Sequence, residues 1–351
     1  MGFNVFEDNK KLVSDFGARP LSSIKEVPDF YTFRNGLIYS HRDFDKFLSR
    51  LEKGEKSAIV SGVNASGRFH IGHKAVFDTN LFFQKKYGLD VFVPISDDES
   101  YVSGKVKNQE EALKHSLLLA KEILALGFNP KKTHFIIDQI YTKIYNLAIK
   151  LSKHVNYSEI KATYGYRPEE NIGLHFYPAV QSAHVLFPQT SRGIKNVLVP
   201  IGPDEDAHIR IARDIARRAG IEKPSVLHLS FIPGLDGEKM SKSKSNAIFL
   251  SDDEKTLKKK CNKAFSGGKE TVEEHRKHGG NPDIDMAFRY LSSYFLDEEK
   301  SVEVAKKYRS GEMLSSEMKS LLFKHLKEYT QEFHNNLNRI SKKELEKSIL
   351  K

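Results

Sequence analysis

The strongest constraint on the fold is a repeated pattern: a short, continuously apolar run that stops at a turn and gives way to a helix. Ser57–Val60 is the first such run, closed by Ser61 and Gly62. Val91–Ile95 follows a helical stretch from Lys74 to Tyr87. Phe135–Ile137 follows another from Gln109 to Leu126, whose end is marked by Gly127 and Pro130. Val197–Ile201 precedes a helical stretch from Ala207 to Ala219, closed by Gly220. Strands that are apolar on both faces need cover on both sides, and helices in the connections supply it. The pattern therefore predicts an α/β fold with a doubly wound parallel sheet. With 351 residues the chain can bury a large core and is long enough for more than one domain.

Around that core the texture changes twice. Residues 1–54 read as a polar lead-in with short helices, one of them burying Phe44, Phe47 and Leu48 at helical spacing. Residues 55–251 hold the strand pattern. From 252 to 351 the chain reads as an all-helical domain, with stretches at Lys255–Phe265, Met286–Phe295 and Ser315–Ile340. Phe288, Leu291, Tyr294 and Phe295 share one face there, and lysines crowd the others. The excess of 56 Lys and Arg over 46 Asp and Glu gives a net charge of +10, which suits a polyanionic partner. The single cysteine, Cys261, excludes an internal disulfide framework and any zinc site built from several thiolates. A reducing, cytoplasmic setting is expected. No signal peptide or membrane span is expected from the apolar pattern.

Two loops carry candidate chemistry. Ser61–His73 joins the first strand to its helix, where backbone N–H groups and the positive helix end can hold a phosphate. Gly62 and Gly67 have the spacing of a Walker A loop, but Arg68-Phe69 stands where Lys and Ser or Thr are required. His70 and His73 could share a helical face as zinc ligands, though no further ligand cluster accompanies them, or could simply cap the helix start. A third reading has the two imidazoles present donors to phosphate oxygens, with Gly72 leaving the backbone open to a flat adenine ring. The second loop, Gly237–Asn246, contains Lys239-Met240-Ser241-Lys242-Ser243. It reads either as a solvated basic linker or as a mobile loop whose Lys239 and Lys242 converge on one anion and neutralise a departing pyrophosphate.

His70-Ile71-Gly72-His73 resembles the HIGH motif of class I aminoacyl-tRNA synthetases, and residues 239–243 match their KMSKS signature. The resemblance narrows to the tryptophanyl-tRNA synthetases of the archaeal and eukaryotic branch. It runs through Arg34–Asp43, Ile95–Glu99, Tyr177–Ala183, Pro200–Arg210 and the segments from Ala264 to Gly280.

That resemblance implies a Rossmann-like catalytic domain at 55–251 with a dimerisation insertion, and a helical anticodon-binding domain at 252–351. It implies activation of tryptophan by ATP, accompanied by Mg²⁺, and transfer to tRNA(Trp) by a homodimer. No protein-held metal is implied. His70, Gly72, His73, Lys239 and Lys242 would be the catalytic set. Gly202, Asp204, Met240, Ser241 and Ser243 would join them in binding ATP, and Glu99 and Gln181 would hold the substrate ammonium. Glu205 stands where the family usually has Gln, so it could face the ammonium or mark an altered contact. In some members a Tyr and a Gln meet the indole N–H; Val60 and Pro94 stand at the nearest positions here and cannot accept that bond. The indole contact is therefore expected elsewhere. Tyrosine or another amino acid as substrate, and a catalytically silent RNA-binding protein, are the alternatives. Arg210 and Asp214 read as a plain i, i+4 helix pair.

Overall fold

In the computed structural model, which describes residues 12–238, 240 and 246–351, the strands form one eight-stranded sheet. They are β1 (Arg19–Pro20), β2 (Ile38–Arg42), β3 (Ser57–Val60), β4 (Val63–Asn64), β5 (Asp90–Ser96), β6 (Thr133–Ile137), β7 (Asn196–Ile201) and β8 (Ser225–Leu229). The parallel core runs β8-β7-β3-β5-β6, with β4 alongside the end of β5. The chain winds outward from β3 through β5 to β6, then crosses to β7 and β8 on the other side. The winding reverses between β3 and β7. In open α/β sheets this reversal opens a crevice at the carboxyl ends of the strands.

Side-chain alternation explains why both faces are covered. Ile59, Val91, Val93, Phe135, Ile137 and Leu198 point into one core together with Phe44, Phe47 and Phe83. Their neighbours Ala58, Val60, Phe92, Ile136, Val197 and Val199 point into a second core against Ala179, Val180 and Phe187. A one-residue slip in any of these strands would exchange the two sets.

The expected strands and their helices are present, but the sheet is larger than the apolar runs indicate. β2 and β8 are antiparallel partners, Ser40 opposite His228, and β1 extends the sheet beyond β2. The segment before residue 55 is thus part of the sheet as well as a lead-in of short helices. Its strand escapes an apolar search because Ser40 and His41 are fully buried polar residues, with Ser40 Oγ 2.9 Å from His228 Nδ1. Ile172–Arg192 is one long helix despite Pro178 and Pro188. Helices Glu254–Asn262, Met286–Tyr294 and Ser315–Arg339 occupy the three stretches expected to be helical. The last residues then return to the sheet, where Leu350 N donates to Phe135 O at 3.0 Å. Among the described residues no helix is long and apolar enough to cross a membrane.

Candidate active site

The first motif leaves β3 and is pinned by the chain that follows the second. Ile71 N donates to Ile248 O at 2.9 Å and Leu250 N to Phe69 O at 3.1 Å, so Phe69–Ile71 pairs with Ile248–Leu250. The base of the second loop is closed by Leu235 N donating to Asn246 O at 3.0 Å and by Asn246 Nδ2 donating to Asp236 Oδ1 at 2.9 Å. Lys239, Ser241, Lys242 and Ser243 lie outside the described residues. Met240 does not. A Cβ on Gly72 would come within 3.1 Å of its Sδ and 2.8 Å of the His70 ring. Only glycine fits there, and the two motifs meet at that point.

His70 and His73 open the helix. His70 Nδ1 accepts from Gly72 N at 3.1 Å, His73 Nδ1 accepts from His70 N at 3.3 Å, and the ring centroids are 3.9 Å apart. The capping reading is thus correct for the Nδ1 atoms, and neither Nδ1 can also ligate zinc. Close ring contact, at an interplanar angle of 33°, and capping together hold both rings in one orientation. Gly62, by contrast, has no steric need to be glycine, since a Cβ would sit 3.5 Å from Pro94 O.

The exit of β5 starts a short helix, Asp97–Val102, with three carboxyl groups in its first turn. Asp97 is buried and accepts from Asp138 N at 2.9 Å and from Gln139 Nε2 at 2.7 Å. Asp97, Asp98 and Asp138 bring carboxylate oxygens within 4.8 Å of one another. Burial and the facing Asp138 push Asp98 up to about 8, and burial raises Asp138 well above the carboxylate range. Two carboxyl groups so placed share a proton. Glu99 turns away from this cluster. It accepts from Lys105 Nζ at 2.8 Å and from Asn64 Nδ2, and it does not line the central cleft.

The exit of β7 completes the site. Gly202 precedes a turn of 3₁₀ helix, Pro203–Glu205, and a helix, Asp206–Arg218. A Cβ on Gly202 would lie 2.5 Å from the Phe231 ring, so glycine lets that ring stand beside the strand end. Asp206, buried, receives Arg42 Nε at 2.8 Å, Arg42 Nη2 at 2.9 Å and His228 Nε2 at 2.9 Å, tying β7's exit to β2 and β8. Arg210 Nε lies 3.2 Å from Asp206 Oδ2, while Asp214 faces Arg217 at 3.6 Å. The expected Arg210–Asp214 pair is therefore replaced by one toward the helix start, where Asp206 already anchors the network.

Between β3, β5 and β7 lies a cleft of about 310 Å³. Gly72, His73, Gly202, Asp204, Glu205 and Gln181 all line it, and so do Val60 and Pro94. The structure thus gathers, at the predicted sheet edge, six of the nine expected residues that are described, with Glu99 at its margin and His70 and Met240 outside the lining. Gln181 is held at both ends: Tyr164 OH donates to its Oε1 at 2.7 Å, and its Nε2 donates to Glu205 Oε2 at 3.2 Å. Burial works against charge on Glu205, but hydrogen bonds from His208 and Gln181 hold its pKa below the ordinary value. Three lining residues escape motif reading. Ser96 and Tyr177 bond each other at 2.8 Å, and His184 stands one turn beyond Gln181. The signal for two of them was available: Tyr177, Gln181 and His184 recur at i, i+4 and i+7 on one helix face.

Residues 52–331 match the family model for tRNA synthetases class I (W and Y). The Tryptophan--tRNA ligase of Methanocaldococcus jannaschii is 40% identical over 341 residues, covering 93% of this chain and 90% of that protein. The tryptophanyl-tRNA synthetase of Aeropyrum pernix superposes with a TM-score of 0.89 at 31% identity, over 98% of this chain and 96% of that one. The enzyme of Encephalitozoon cuniculi, solved bound to tryptophan, gives 0.86 at 28% identity over 98% of each chain. A family match over most of the chain, on a sheet whose switch-point crevice is lined by Gly72 and His73 of the first motif, places this protein among the class I tRNA synthetases of the tryptophan and tyrosine group.

Proposed function

We propose that this protein is a tryptophan–tRNA ligase whose reactions take place in the cleft between β3 and β7. The observation that carries the reading is the meeting of the two motifs at Gly72 and Met240, with Gly72 lining the same cleft as Gly202 and Asp204 at the exit of β7. Relatives that cover nearly the whole chain are named Tryptophan--tRNA ligase, which favours tryptophan over tyrosine and over a silent RNA-binding role.

The tryptophan carboxylate attacks the α-phosphorus of ATP. An O–P bond forms, the bond to the bridging oxygen breaks, and pyrophosphate leaves. A ribose hydroxyl at the 3′ end of the tRNA then attacks the acyl carbon and AMP leaves. No side-chain nucleophile is needed, so catalysis rests on alignment and on charge neutralisation. His70 and His73 face the triphosphate, Gly72 leaves room for the adenine, and Gly202 with Asp204 takes the ribose. Lys239 and Lys242 follow the departing pyrophosphate, with Met240, Ser241 and Ser243 forming the loop around it, and Mg²⁺ arrives with the nucleotide. Gln181 and Glu205 receive the substrate ammonium, Glu205 because its carboxylate is held ionised. Glu99 joins them if substrate draws it from Lys105. The helical segment from 252 onward takes the anticodon, and the active species is a cytoplasmic homodimer.

ATP–pyrophosphate exchange with each of the twenty amino acids tests this directly. Exchange with tryptophan alone is expected. The chain has no tryptophan of its own, so ligand fluorescence can follow binding in parallel. Lys239→Ala should abolish exchange while tRNA binding persists. Exchange with another amino acid overturns the substrate, and persistence in Lys239→Ala overturns that lysine's role.

A further inference from the structure

The floor and walls of the cleft pose a selectivity problem. Val60, Pro94 and Val199 line it with apolar atoms, so an aromatic side chain fits by shape alone. Shape does not separate tryptophan from a ring of the same size without an N–H. That separation needs a buried acceptor whose hydrogen bond goes unmade when the wrong ring enters.

The polar side chains of the helix wall differ in what they have left to offer. Gln181 is bonded at both ends, to Tyr164 and Glu205. Tyr177 OH and Ser96 Oγ are engaged with each other at 2.8 Å, each hydroxyl keeping a lone pair. His184 is 2% exposed and lines the cleft, and its Nε2 lies 2.6 Å from Asp138 Oδ1. Its Nδ1 has no hydrogen-bond partner among the described residues and is not among the sealed, unsatisfied atoms of the interior.

The tautomer follows from Asp138. The proton that Asp138 shares with Asp98 belongs to its Oδ2, which has no other partner, so Oδ1 accepts, Nε2 carries the hydrogen and Nδ1 keeps its lone pair. Asp138 is itself fixed by the carboxyl cluster at the start of the Asp97–Val102 helix, and its shared proton with Asp98 leaves Oδ1 free to accept from His184. Burial lowers the pKa of the ring to about 4, so it stays neutral and keeps this acceptor at physiological pH.

We propose that His184 Nδ1 accepts the indole N–H of the substrate, making His184, oriented by Asp138, the residue that selects tryptophan. The inference rests on the reading of the cleft as the amino-acid site. It gives the carboxyl cluster a purpose: Asp138 is a positioning residue, and the proton it shares with Asp98 lets two carboxyl groups sit side by side behind the ring.

The experiment measures kcat/KM for ATP–pyrophosphate exchange with tryptophan and with its benzothienyl analogue, in which sulfur replaces the ring N–H. The full-length protein is compared with His184→Leu and His184→Asn. Wild type should prefer tryptophan by about 100-fold or more, as sites built around a substrate N–H do. His184→Leu should lose tryptophan activity while keeping that with the analogue, so the preference falls to near unity. His184→Asn, whose amide oxygen sits close to the place of Nδ1, should restore part of the preference and covers the case in which the leucine variant does not fold. An equal loss with both substrates, or an unchanged preference in a folded variant, overturns the proposal. So does collapse of the preference in Tyr177→Phe with His184 intact, which would make the hydroxyl pair the acceptor. Absence of exchange with tryptophan in wild type overturns the proposed function instead.

Discussion

Asp206→Ala tests how the rim of the site is held. The Asp206 side chain is 1% exposed, the Arg42 side chain 10% and that of His228 0%, and three hydrogen bonds of 2.8–2.9 Å join them. Removing the carboxylate leaves the Arg42 guanidinium nearly buried and unpaired, which costs about 3–5 kcal/mol. With a urea slope near 3 kcal/mol per molar, at the upper end for single domains, the midpoint should drop by roughly 1–1.7 M. Urea unfolding followed by far-UV circular dichroism reads this. The double variant Arg42→Met/Asp206→Leu should lose far less than the two single losses added, because no uncompensated charge is left inside. A pH series checks the sign. Burial alone would raise the Asp206 pKa, but hydrogen bonds from His228 and Arg42 outweigh it and hold it far below the ordinary value. A depressed acid stabilises the fold above its unfolded pKa of about 3.9 and loses that contribution as pH falls toward the folded value. The gap between wild type and Asp206→Ala should therefore be full at pH 6–7 and narrow below about pH 4. A loss under 1 kcal/mol, or a double variant equal to the sum, refutes the claim that this network is a buried, mutually dependent unit.

Three further outcomes are expected. Gly202→Ala drives a Cβ into the Phe231 ring, so KM for ATP should rise at least about tenfold with a stability loss of about 1–3 kcal/mol, read by exchange kinetics and urea unfolding. In wild type the raised Asp98 pKa, about 8, means that the folded chain keeps a proton the unfolded chain gives up near pH 4. That contribution is complete below pH 4 and is lost as pH rises through about 8; Asp98→Asn should therefore flatten the decline in unfolding free energy between pH 4 and 8. Lys74 is 6% exposed, bonds Asp78 and lies 4.2 Å from the Tyr329 ring, so Lys74→Met should leave Asp78 without its cation, held by Tyr31 OH at 2.7 Å, and lower the melting temperature by several degrees, seen by calorimetry.

Both motifs were legible because their chemistry is local: a few residues in one loop, at one spacing, after one apolar strand. The parallel sheet was legible for a related reason, since strands such as Ile59 and Val91 must be apolar on both faces to be buried on both. β2 was not, because its buried Ser40 is satisfied by His228, almost two hundred residues away, and its buried His41 by Ser23 and Phe44 N, and no apolar pattern records those partners. The same limit applies at the site. Glu99 belongs by position to the acidic turn, yet Lys105 and Asn64 draw its carboxylate to the margin.

The sequence by itself determined the sheet's parallel core and the positions of the two motif loops. These follow from periodicity and from backbone geometry within a short stretch. Tertiary structure alone decided which side chains end up facing each other. Gly72 meets Met240, Asp138 meets His184, and Asp206 meets Arg42 and His228, across separations of 168, 46, 164 and 22 residues. Hydrogen bonds and charges act over a few ångströms. Residues that far apart in the chain acquire a tautomer, a shifted pKa or a steric demand only when the fold brings them into contact.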